Sequence, residues 1–132
     1  MKKILIFLFV ILLILFFSKN HIIGQKFDYD KWKPEWDVHM KFIPKKRYQM
    51  MKWLERNYAF CGKTKNEILS TFGEDDSFNK ENNEIYYILK QDTWNIDVPT
   101  EAGLMLNLKD DTVISAVIDY KYKKSKQICS LE

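Results

Sequence analysis

The stretch CGKTKNEILSTFGEDD, residues 61–76, decides how this 132-residue chain folds. Its Gly62-Lys63-Thr64 is the tail of a phosphate-binding loop, but the same letters also open a helix. A phosphate loop requires G-x-x-x-x-G-K-[ST] after a strand, so that successive backbone N–H groups curl around phosphate. The residue five places before Gly62 is Asn57, and the segment preceding it carries a helical period. Both requirements fail. Thr64 with Glu67 instead forms a capping box, in which the hydroxyl accepts from the third helical amide and the carboxylate takes the cap amide. Ile68, Leu69 and Phe72 give this helix its apolar face. Gly73 falls where a left-handed residue ends it, and Gly62 bends the chain between two helices.

The upstream helix lies in KKRYQMMKWLERNYAF, residues 45–60, with Pro44 suited to its first turn. Met50, Met51, Trp53, Leu54 and Tyr58 recur every three to four residues, which predicts a helix over 45–58 whose methionines fill the core.

Downstream the period changes to two. EIYYILK (84–90) places Ile85, Tyr87 and Leu89 on one face, and GLMLNLK (103–109) turns Leu104, Leu106 and Leu108 inward. Asp110-Asp111 makes a tight turn into TVISAVIDYKY (112–122), where Ile114, Ala116, Ile118 and Tyr120 share a face opposite Val113, Ser115, Val117 and Asp119. QDTWNIDVPTEA (91–102), with Pro99, reads as a crossing loop that tucks Trp94 in. The expected fold is α+β: two helices on a three-stranded antiparallel sheet, preceded by a hydrophobic N-terminal helix. The domain occupies residues 44–129, a tether and aromatic lead-in 18–43, and a signal peptide or signal anchor 1–17.

Met1-Lys2-Lys3 precedes the apolar run ILIFLFVILLILFF, residues 4–17, the layout of a secretory n-region and h-region. Fourteen residues make a helix of roughly 21 Å against a ~30 Å hydrocarbon core, which on length reads as a signal peptide. The peptidase positions, Phe16 with Ser18 or Ile22 with Gly24, lack the A-x-A pattern. An uncleaved transmembrane anchor extended by residues 18–23 is therefore preferred over a cleaved signal, with lysines snorkelling at both ends. Lys2 and Lys3 on the cytoplasmic side place the rest outside. No cysteine precedes Cys61, which argues against a lipid-modified N-terminus. Residues 18–30 read as tether, and FDYDKWKPEWDVHMKF (27–42), broken by Pro34, as an extended or turning segment whose Trp32 and Trp36 lie as lids on the domain.

A formal charge of +3 argues against a nucleic-acid partner. KYKKSK (121–126) is first a solvated strand end, with a lipid-surface role as the alternative. Cys61 and Cys129 read by default as two separate thiols, with a bridge closing nearly seventy residues as the alternative. His21 and His39 stand at no ligand spacing, and Glu74-Asp75-Asp76 opens a solvated loop without the ligand order of a Ca²⁺ loop. No metal or cofactor is expected. No G-x-S-x-G, H-E-x-x-H or C-x-x-C occurs, and carboxylate pairs such as Glu101 with Asp119 are ordinary surface residues.

Gly62, Lys63, Thr64, Glu67, Ile68, Leu69, Phe72, Gly73, Glu74 and Asp76, followed by Tyr86 or Tyr87 on a strand, resemble the SmpA/OmlA family of outer-membrane assembly lipoproteins. Their fold is shared with β-lactamase inhibitor proteins. Phe27-Asp28, Lys31-Trp32, Arg47, Met50 and Leu54 are similar to a variant with F-D-x-x-x-W before R-x-x-M-x-x-x-L. The resemblance implies two helices on a three-stranded sheet in a non-enzymatic protein that works by contact. Unlike typical members, this chain has no lipidated cysteine behind its apolar run.

The expected function is a binding or scaffold module of the cell envelope, extracytoplasmic, contacting the membrane through its N-terminal segment and an envelope protein through its surface. No small-molecule substrate is expected. The alternative is a released periplasmic or secreted enzyme inhibitor presenting aromatics among Tyr86, Trp94 and Tyr122.

Overall fold

The capping box forms as the sequence requires. Thr64 Oγ1 accepts from the Glu67 amide at 3.2 Å and Glu67 Oε2 accepts from the Thr64 amide at 2.9 Å. A computed structural model describes residues 1–36, 41–76, 83–91 and 100–131. Helix α1 runs Lys2–Ile23, α2 Tyr29–Trp32, α3 Lys45–Asn57 and α4 Lys65–Phe72. Strands β1 (Glu35–Trp36) and β2 (Lys41–Phe42) form a small ribbon; β3 (Glu84–Gln91), β4 (Thr100–Lys109), β5 (Thr112–Tyr120) and β6 (Lys126–Ser130) form an antiparallel sheet in that order.

The sheet therefore has four strands where three were expected. The fourth, KQICS, follows a lysine-rich stretch and is too short to show a period of two on its own; pairing of Ser115 with Ser130 and Ile118 with Lys126 makes it a strand. The α+β class holds, with Met50, Met51 and Leu54 of α3 and Ile68 and Phe72 of α4 packed with Ile85, Tyr87, Leu104, Leu106, Ala116 and Ile118 in one core.

Three further differences have physical causes. First, Val113 is buried and Ile114 only partly so, the reverse of the expected phase at that end of β5. Asn107 pairs with Ser115 but Leu108 pairs with Val113, so Ile114 is the extra residue of a bulge and shifts the alternation by one.

Second, no helix among the described residues is long and apolar enough to cross a membrane, and the transmembrane-anchor expectation is corrected. The apolar run stops at Phe17, and the helix continues through the polar Ser18, Lys19, Asn20 and His21 rather than extending the hydrophobic length. Third, the lead-in is not all tether: Trp32 is fully buried and Phe27 packs against the core, whereas Trp36, expected as a second lid, is 74% exposed.

The tight turn is as read. Asp110 and Asp111 have φ of 52° and 61°, the double left-handed turn that matches the twist of a hairpin. Trp94, Pro99 and His39 lie outside the described residues.

Candidate functional site

The Gly62-Lys63-Thr64 segment is sewn to the start of β5. Gly62 N donates to Val113 O, Val113 N to Lys63 O, and Lys65 N to Asp111 O, each at 2.8 Å. Gly62 takes a φ of 92°, and these amides serve the hairpin rather than an anion. Gly73 has φ 81° and ψ −172°, outside the left-handed helical well in a region that side chains avoid, while its amide still closes the helix on Leu69 O at 2.9 Å. Cys61 and Cys129 form a disulfide that fastens the bend before α4 to β6, the alternative to two separate thiols.

Asp76 is the residue the solvated-loop reading missed. Its Oδ2 accepts from Arg47 Nη1 at 2.7 Å and from the Ile88 amide at 3.0 Å, with the Arg47 and Asp76 side chains 0% and 2% exposed. Arg47 also donates to Trp32 O at 2.9 Å and to Ile88 O at 2.8 Å, and its guanidinium lies 4.8 Å from the Trp32 ring centroid. Burial lowers the Arg47 pKa, and Asp76 opposes that shift. Next to it, burial raises the Tyr87 pKa, Asp75 adding to the effect, and the phenol donates to Gly73 O at 2.7 Å. This cluster pins α2, α3, the turn after α4 and β3 together; it is closed to solvent and serves packing.

The accessible concavity lies on the other side of α3. Tyr48, Lys52 and Glu55 follow one another at four- and three-residue steps, so they line one helix face next to the core residue Met51. Ile118 and Tyr120 alternate with outward residues on β5 and complete the opposite wall. The groove holds about 750 Å³, within the range of ligand sites. Lys123 and Lys126 stand along its rim. Lys126 Nζ donates to Glu55 Oε2 at 2.7 Å, tying β6 to α3, and Lys123 Nζ sits 4.2 Å from the Tyr120 ring centroid. Burial first, then hydrogen bonding and repulsion from the Tyr48 phenol, pushes the Tyr120 pKa up to about 12. A second hollow of about 270 Å³ shares Tyr48, Tyr120 and Lys123, and beyond them Lys90 pairs with Glu101 at 3.1 Å.

Gln25 and Gly24 close one end of the groove. The Gln25 amide donates to Gln49 O at 3.3 Å, and a Cβ on Gly24 would lie 2.8 Å from Lys52 Cβ, so the chain leaving α1 is held tightly to α3 there.

Of the other expected residues, Glu101 and Tyr122 line the smaller hollow. Glu101 is occupied by Lys90, while Asp119 is exposed on the neighbouring strand opposite Gly103. Tyr86 lies over Gly103, where a Cβ would collide with its ring, and Tyr122 is 70% exposed. Among the described residues no cluster of three or more His, Cys, Asp or Glu is placed to hold a metal ion. Lys52 and Tyr48 went unread as site residues because on a helix the signal for a groove is only a polar face beside an apolar one. No protein-family model, curated protein or solved structure matches this chain.

Proposed function

We propose that the protein is a non-enzymatic binding or scaffold module of the cell envelope, working on the extracytoplasmic side by surface contact. The observation that carries this reading is the Cys61–Cys129 disulfide, since structural disulfides belong to oxidising compartments. It agrees with the lysine-led apolar segment at residues 1–17, read as an export signal. The contact role is supported by where the perturbed groups sit. Arg47 and Tyr87 are spent on packing contacts, and among the described residues the open groove offers lysines and phenols without a nucleophile paired to a base.

Thiol trapping in intact cells tests the location: a membrane-impermeant alkylating reagent, then mass spectrometry with and without reduction. Recovery of the Cys61–Cys129 peptide as an oxidised pair from the envelope fraction is the expected result. Two free thiols in the cytosolic fraction would remove the basis of the proposal. Cross-linking in the same cells, expected to capture an envelope protein, addresses the contact role.

A further inference from the structure

We infer that the groove between α3 and β5 is the contact site itself, and that it receives an acidic, extended peptide segment of a partner protein; this rests on reading the protein as a contact module. The argument is charge and shape. Among the described residues no carboxylate pairs with Lys52 or Lys123, while Lys126 is already neutralised by Glu55. Two cations without a carboxylate partner therefore line a concavity whose half-buried aromatic walls are Tyr48 and Tyr120, with Met51 and Ile118 packed beneath them in the core. Cations beside exposed ring surface fit a chain that alternates carboxylates with aliphatic or aromatic side chains, because an extended segment turns successive residues to opposite sides. Tyr48 and Tyr120 add rigid rings with hydroxyls, the kind of surface that binds peptide at low entropic cost.

Other anionic partners fit less well. A flat lipid surface would meet the exposed lysines but not the half-buried Tyr48 and Tyr120 rings set between the helix and the sheet. A nucleic acid would meet Glu55 in the wall and a chain of only +3 formal charge. Inorganic phosphate would fill a small part of about 750 Å³.

The test uses the purified, oxidised full chain in mild detergent and a fluorescein-labelled peptide of alternating glutamate and leucine, followed by anisotropy. Binding that weakens with salt is expected, as is a Kd raised about tenfold or more by Lys52→Glu combined with Lys123→Glu. The double Lys→Arg variant should bind as the wild type does, and Lys109→Glu, at the hairpin turn outside the groove, should change nothing. Both groove lysines are exposed, so melting temperatures should stay level and report folding directly. Equal affinity in the charge-reversed variant overturns the inference. So does capture by phosphatidylglycerol vesicles without peptide binding, which would assign the lysines to lipid. If the peptide fails while cross-linking returns an envelope neighbour through another face, the module reading stands and the groove assignment falls.

Discussion

Arg47 Nη1 reaches Asp76 Oδ2 across 2.7 Å, with both side chains withdrawn from water. The pair joins the first turn of α3 to the turn that follows α4. Two backbone carbonyls, of Trp32 and Ile88, take further guanidinium protons. Among the described residues Nη2 of Arg47 and Nε1 of Trp32 have no acceptor, so the cluster's cohesion depends on the carboxylate.

Asp76→Ala should destabilise the fold by about 3–5 kcal/mol, because it strands a buried cation. Arg47→Met together with Asp76→Leu should recover much of that loss. Urea unfolding followed by tryptophan fluorescence measures both. A double variant as unstable as Asp76→Ala would show that the ion pair contributes more than mutual neutralisation.

Removing the capping box by Thr64→Ala should cost about 1 kcal/mol. Gly73→Val should cost more, since its φ of 81° with extended ψ is closed to a β-branched residue and the Tyr29 hydroxyl lies 3.1 Å from the added Cβ. Chemical denaturation of the two variants side by side gives the ranking.

Alkaline stability should fall above the ordinary tyrosine pKa of about 10. The Tyr120 and Tyr87 pKa values are raised in the folded state, so their contribution is fully present below about 10 and is lost as pH climbs through the folded values, about 12 for Tyr120. Melting temperature against pH should stay level to that point and then drop. Tyr87→Phe should flatten the drop, at the cost of the bond to Gly73 O.

Cys61→Ser with Cys129→Ser should lower stability by about 2–4 kcal/mol, given that the bridge closes a long loop in the unfolded chain. Dithiothreitol should reproduce the change in the wild type and leave the double variant unaffected.

Much of this architecture was written locally. Thr64 and Glu67 specify the start of α4, the methionine and leucine spacing specifies α3, and Leu104, Leu106 and Leu108 face the core as their alternation requires. What escaped was non-local. A bulge at Ile114 shows only once β4 is laid beside β5, and β6 gains its strand character from a neighbour and a disulfide. Asp76 was visible as part of a Gly-x-x-Asp spacing after α4, yet its partner lies 29 residues earlier. Arg47 gave a hint: a charge one turn from Met50 and Met51 needs a buried counterpart or a route to water. The groove had weaker signals still, because Tyr48 and Tyr120 come from separate elements that meet only in three dimensions.

The bridge between Cys61 and Cys129 also divides the chain mechanically. It makes a covalent ring containing α4, β3, β4, β5 and nearly all of β6, and leaves α1, α2 and α3 outside. Tension applied between the two termini would run across the sulfur atoms and bypass the ring entirely. The outer helices would peel away first, surrendering the Arg47–Asp76 contact, while the sheet stayed closed and ready to take them back when the load was released.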